Sequence, residues 1–189
     1  GGMSEIYDGG TDPVYGLIAG DDHRPEVLIG RFSARNDADV NTQVERTIAY
    51  ENQLAILSDW RRNALGIASD DGAGRGDDDE IDFEHLGNIR DLLLANGWNR
   101  VDEVYDPGAT DADVANSIAN DVGLINYTGH GSWTAFSTTG FNRTDVNALT
   151  NTNRLPWIYS VACQNGRFND KSVCFAEQWL TATDDAGAP

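Results

Sequence analysis

The chain has 189 residues, 40% of them apolar, which suits one domain, or two small ones, with a real core. Thirty-one acidic residues against 13 Lys and Arg give a net charge of -18. That balance repels nucleic-acid phosphates, and no run of roughly 18 apolar residues encodes a membrane span.

The first ten residues, GGMSEIYDGG, have neither a basic end nor an apolar stretch, so they do not read as a signal peptide. A chain cut from a longer precursor would look the same. Residues 14–20 (VYGLIAG) and 26–33 (EVLIGRFS) read as short strands joined by a DDHRP turn. From Asp37 a helical pattern begins. Val40, Val44, Ile48 and residues 54–57 recur at three to four positions, with Asp37 or Asp39 as N-cap. Residues 63–69 (NALGIAS) read as a buried strand, followed by an acidic, glycine-rich loop. Phe83 to Ala95 has helical spacing and stops at Asn96-Gly97. RVDEVY (100–105) is a strand. Thr110 opens a helix whose first turn carries Asp111 and Asp113, which suit the helix dipole. GLINYTG (123–129) is a strand, 145–149 a short helix, LPWIYSVAC (155–163) a strand, and 174–183 a helix.

From residue 63 onward strands alternate with amphipathic helices. That order indicates an α/β fold, a parallel sheet covered by helices on both faces. The chain reads as one domain over 1–189, with 1–62 supplying the first strands and helix and 63–189 the core sheet. It ends on a helix with nothing to cross back into the sheet, which suggests a fragment of a larger precursor.

Twenty-three Asp and 8 Glu face 12 Arg and one Lys, Lys171. Such a surface is soluble, suits a salty habitat, and attracts cationic peptides or Ca²⁺. Cys163 and Cys174 make no disulfide framework, though one bridge between them is open. His23, His85 and His130 are scattered and give no zinc spacing with the two cysteines.

In open α/β sheets, reactive groups gather beyond the carboxyl ends of the strands. One strand here ends YTGHG, with His130; another ends SVAC, with Cys163. If the two strands are neighbours, they form a thiol nucleophile with its base. The glycines beside His130 leave room for a substrate backbone. They also free the Gly131 N–H to meet an oxyanion, with the Cys163 N–H as second donor. The competing readings are a small buried cysteine and a histidine that merely marks a turn.

YTGHGSWTAF (127–136), the run from Thr144 to Phe168 that includes SVACQNG, and CFAE (174–177) resemble the gingipains, cysteine peptidases of the caspase-like clan. VYGLIAGDDH, IGRFSARN, TQVERTIAYE, IAS and YDPG extend the resemblance from about Val14 to Glu177. VACQNG meets only half of the caspase signature Gln-Ala-Cys-x-Gly, so the match is to the gingipain branch. The resemblance implies a caspase-like three-layer sandwich with a mostly parallel sheet, lacking its last strands and a preceding subdomain. It implies a secreted or cell-surface cysteine endopeptidase that needs no catalytic cofactor and cuts polypeptides after basic residues, Arg preferred. The remainder of the precursor is then a partner.

Residue by residue, Cys163 resembles the family's nucleophile and His130 its catalytic histidine. In IASDDG, Asp71 takes the place of the acid behind the histidine, one methylene shorter than the Glu of arginine-specific members. Asp82, at the start of the helix after the acidic loop, takes the place of the S1 carboxylate that pairs with a P1 guanidinium. As an ordinary N-cap it would carry no such role. The family also implies structural calcium, for which Asp77, Asp78 and Asp79 are the candidates; the competing reading is a solvated loop. Cys174 is expected in the core. The alternative function is a catalytically silent caspase-like binding module that holds calcium or a basic partner through its acidic face.

Overall fold

The computed structural model describes residues 2–3, 10–53, 58–72, 79–170 and 172–184. Two short strands, β1 (Gly2–Met3) and β2 (Gly10–Thr11), pair antiparallel. The strands expected at 14–20 and 26–33 are absent. Pro13–Gly16 is instead a 3-10 turn and the chain after it is irregular. Pro13 at the first position of that turn has the right fixed φ and no N–H for a ladder. The Glu26 carboxylate accepts the N–H groups of Ile18 (2.9 Å) and Ala19 (3.2 Å), which a strand would give to a neighbour. Leu28 is 97% exposed, so no sheet face is buried there.

Helix α1 (Asp37–Gln53) follows the predicted spacing. Its cap is Asn36 rather than Asp37 or Asp39: Asn36 Oδ1 accepts the Asp39 N–H at 3.0 Å, and both acids lie in the first turn. Residues 54–57 of the pattern lie outside the described residues.

The predicted alternation then unfolds in order: β3 (Asn63–Ala68), α2 (Asp82–Ala95), β4 (Arg100–Tyr105), α3 (Asp111–Ala119), β5 (Leu124–Thr128), α4 (Arg143–Asn147), β6 (Trp157–Val161) and α5 (Phe175–Thr181). Thr110 caps α3 reciprocally with Asp113. Helix α4 starts two residues before the expected 145, because Asn142 Oδ1 accepts the Thr144 N–H at 2.8 Å.

The four long strands are all parallel, in the order β4-β3-β5-β6. The chain winds outward from β3 to β4, then crosses to β5 on the other side of β3. The order therefore reverses between β3 and β5, and a crevice opens outside their carboxyl ends.

Leu65 and Ile67 align with Ile125 and Tyr127 on one face. There they pack on Val114 and Ile118 of α3 and on Phe136, Phe141 and Phe175. The opposite face of β3 is small, Ala64, Gly66 and Ala68, so α2 can approach. Leu86, Ile89 and Leu93 of α2 border the same small void as Ala64 and Gly66. Cover on both faces holds at β3 but fails at β6. Ile158 joins the core, whereas Trp157, Tyr159 and Val161 on the other face are 63%, 58% and 62% exposed. The outer edge of β6 has no partner strand among the described residues.

Candidate active site

Strand β5 ends at Thr128 and β6 at Val161, and these two residues are paired in register. His130 and Cys163, each two residues further on, therefore leave neighbouring strands at the same edge. Ala68, the last residue of β3, lies opposite Thr128 on the other side. Asp71 thus leaves that edge as well. Three adjacent strands deliver an acid, an imidazole and a thiol to the switch-point crevice.

The shorter carboxylate of Asp71 reaches the ring: its Oδ2 is 2.7 Å from His130 Nε2. An ionised carboxylate only accepts, so in a neutral imidazole this contact favours the tautomer with its proton on Nε2 and its lone pair on Nδ1. Both side chains are solvent-exposed, 71% for His130 and 62% for Asp71. An exposed pair of this kind adds little stability.

The backbone under His130 is held from below. Tyr127, fully buried, donates its hydroxyl to the His130 carbonyl and lies 3.0 Å from Thr138 Oγ1. Burial pushes its phenol above the usual value, with the Thr138 contact working the other way. The Tyr127 ring stacks on Phe136 at 4.1 Å, and Phe136 meets Phe175 edge-on at 4.8 Å. The same aromatic core that buries β5 thus fixes the turn carrying His130.

Gly131 faces Phe136 in an isolated antiparallel bridge. The bonds of that bridge run from Ser137 N–H to His130 C=O and from Ser132 N–H to Ala135 C=O. Gly131 therefore occupies the non-hydrogen-bonded position, and its own N–H points out of the ladder. A Cβ on Gly131 would lie 2.6 Å from Ala162 Cβ and 3.1 Å from the Cys163 nitrogen. Only glycine lets the two loops close this far. Cys163 is a free, exposed thiol.

The chain matches peptidase family C25 over residues 4–188. It belongs to that family. It is 43% identical over 175 residues to Gingipain R2 of Porphyromonas gingivalis, a match covering 93% of this chain and 24% of that protein. Lys-gingipain HG66 of the same species is 26% identical over 178 residues, 94% of this chain and 10% of the other. The crystal structure of the Arg specific cysteine proteinase gingipain R superposes with a TM-score of 0.89 at 44% identity, over 94% of this chain and 41% of that one. The complex of RgpB pro- and mature domains gives 0.92 at 41% identity, over 100% and 44%. The α/β architecture is therefore the caspase-like one of gingipain R, and this C25 chain spans under half the length of the relatives it matches.

Within this C25 chain Asp82 is the first residue of α2 and not its N-cap, which is Ile81. Its carboxylate accepts the Ser69 hydroxyl. Ser69 Oγ in turn accepts the Asp71 N–H at 3.3 Å, and the Asp82 N–H donates to the Asp71 carbonyl at 2.8 Å. Gly72, next to Asp71, is left-handed with φ +99°. The acid aimed at His130 and the candidate S1 acid thus share one hydrogen-bonded loop.

Of the calcium candidates, Asp77 and Asp78 lie outside the described residues. Asp79 is described, in a left-handed turn with φ 63°. Neighbouring Glu80 is already engaged by His85 Nδ1 (3.0 Å) and Asn88 (2.6 Å). Among the described residues no three His, Cys, Asp or Glu side chains gather as a metal site. Nor is any helix among them long and apolar enough to cross a membrane.

Cys174 is fully buried at the cap of α5, and burial pushes its thiol up. It and Cys163 are both free, so the bridge between them is not formed. Ser69, Tyr127, Thr138 and Asn165 were not singled out in the sequence. Each looks like an ordinary strand or turn residue until its hydrogen-bond partner is known.

Proposed function

We propose that this C25 chain carries the catalytic machinery of a cysteine endopeptidase that cleaves after basic residues, preferring Arg. The observation that carries the reading is the in-register pairing of Thr128 with Val161, with the Gly131 backbone against the Cys163 nitrogen and His130 Nε2 held by Asp71.

The Cys163 thiol gives its proton to His130 Nδ1, and the thiolate attacks the scissile carbonyl. A bond forms from Sγ to carbon, and the carbonyl oxygen becomes an oxyanion between the Gly131 and Cys163 N–H groups. Collapse breaks the C–N bond as His130 returns the proton to the leaving amine. A thioester remains. His130 then deprotonates a water that attacks the thioester, releasing the acid product and restoring the thiol. Asp71 holds the ring in the tautomer that this traffic needs. Asp82 pairs with the P1 guanidinium, which supports the Arg preference.

The test uses the complete protein and an Arg-amide reporter. Cys163→Ala should abolish cleavage, and a thiol-reactive peptidyl probe should label the parent at Cys163. Cleavage retained by Cys163→Ala removes the nucleophile assignment. A parent that neither cleaves nor takes the probe is instead a silent binding module.

A further inference from the structure

Between the loops that carry His130 and Cys163 lies one buried amide. Asn165 is 2% exposed. Its Nδ2 donates to the Ser132 carbonyl at 2.6 Å and to the Ala135 carbonyl at 2.9 Å. Its Oδ1 accepts the Ser160 hydroxyl at 2.9 Å. Its backbone carbonyl accepts the Ala176 N–H at 2.9 Å, at the start of α5. Both amide hydrogens are used on carbonyls and the oxygen on a hydroxyl, which fixes the amide's orientation, since a flip would set its oxygen against two carbonyls.

The geometry is a bracket. Ser132 is two residues after His130, and Asn165 is two residues after Cys163. One side chain joins the two turns at equal remove from the two reactive groups. It also touches the place where they meet, because a Cβ on Gly131 would lie 3.2 Å from Asn165 Cγ. Ser160, on β6, orients the amide from the Cys163 side.

We infer that Asn165 is the positioning residue that sets the separation of the Cys163 thiol from the His130 imidazole, and with it the spacing of the two oxyanion N–H groups. This rests on the reading of the Cys163–His130 pair given above. Asn165 touches neither substrate nor reacting atoms; it acts through the two loops it ties. Attack geometry is steep, and a displacement near 1 Å costs about 100-fold in rate. Loosening the bracket should therefore reduce kcat while leaving KM near its parent value, because the P1 contact at Asp82 is at the start of α2 and on neither of the two loops.

The experiment compares Asn165→Asp, Asn165→Ala and Ser160→Ala in the complete protein. Asn165→Asp keeps the shape but replaces two donors with an acceptor facing two carbonyls. Its kcat on an Arg-amide reporter should fall about 100-fold. The profile of Cys163 alkylation by iodoacetamide against pH should also change, with its rate at neutral pH falling as the imidazole partner is lost. Val114→Ala, in the core on α3, is the control for lost stability alone; it should lower Tm and leave the alkylation profile in place. Ser160→Ala removes one exposed hydroxyl and should fold whatever the Asn165 variants do, with a smaller kcat loss in the same direction. Parent-like kcat and alkylation profile in Asn165→Asp, or in Ser160→Ala should the Asn165 variants not fold, overturn the inference. An active parent with such unchanged variants counts against Asn165 alone, whereas a parent whose Cys163 cannot be labelled counts against the proposed function.

Discussion

Asp71 Oδ2 and His130 Nε2 stand 2.7 Å apart with both side chains open to water. The pair joins the end of β3 to the end of β5 across the switch point. Its exposure separates two effects that coincide in buried triads. Removing the acid should disturb the chemistry and spare the fold.

Asp71→Asn should therefore lower kcat on an Arg-amide reporter by about 100-fold, the low end of what a positioned acid–base group contributes. The amide can donate to Nε2 and so stabilise the tautomer with its proton on Nδ1, which can no longer accept from the thiol. Tm should barely move, because exposed ion pairs contribute little. A large fall in Tm with kcat retained would assign Asp71 to the fold instead.

Asp82→Asn should separate specificity from the thiol. The neutral amide cannot pair with a guanidinium, so kcat/KM for Arg reporters should fall on the order of 100-fold or more while Cys163 still takes a probe that lacks a basic P1 group. The Ser69 hydroxyl keeps an oxygen acceptor in the variant, so the loop that carries Asp71 should hold. Equal rates for parent and variant on Arg and Lys reporters would remove Asp82 from the pocket.

Gly131→Ala tests the closeness of the two loops. The new methyl would sit 2.6 Å from Ala162 Cβ, so either the His130 turn or the Cys163 turn must move. Overpacking of this kind costs about 1–3 kcal/mol. Both Tm and kcat should fall. Gly140→Ala, where a Cβ meets nothing within 4 Å but φ is +75°, should lower Tm without the same loss of kcat.

How much of this was legible follows from range. The alternation from residue 63 onward is written in apolar spacing, and the strand ends at His130 and Cys163 could be read because parallel strands share an edge. The region 14–33 misled because exposed extended chain and paired strand carry the same apolar, β-branched residues. Only the grip of Glu26 on Ile18 and Ala19, with the position of Pro13, separates the two. Asn165 and Ser69 were invisible for a related reason. Their partners are 30 and 33 residues away for Asn165, and 13 for one bond of Ser69. Spacing along the chain carries no trace of a hydrogen bond of that span.

A last consequence concerns alkaline stability. Tyr105, at the end of β4, is the neighbour that a Cβ on Gly66 would strike, at 2.9 Å from its hydroxyl. That hydroxyl has no hydrogen-bond partner among the described residues. Burial first, then the charge of Glu103, pushes the phenol up to about 12, with Arg90 pulling the other way. The phenol is neutral when protonated, so the folded chain holds this proton more tightly than the unfolded one, which releases it near 10. Between those values the unfolded state binds fewer protons, and stability falls as pH rises. The stabilisation is complete below about pH 10 and is lost as the folded group titrates at about 12. Tyr105→Phe removes both the titration and an unpaired buried oxygen. Its Tm at neutral pH should match or exceed the parent's, and its Tm should decline less between pH 10 and 12. Parallel declines in parent and variant would show that Tyr105 does not govern the alkaline limit.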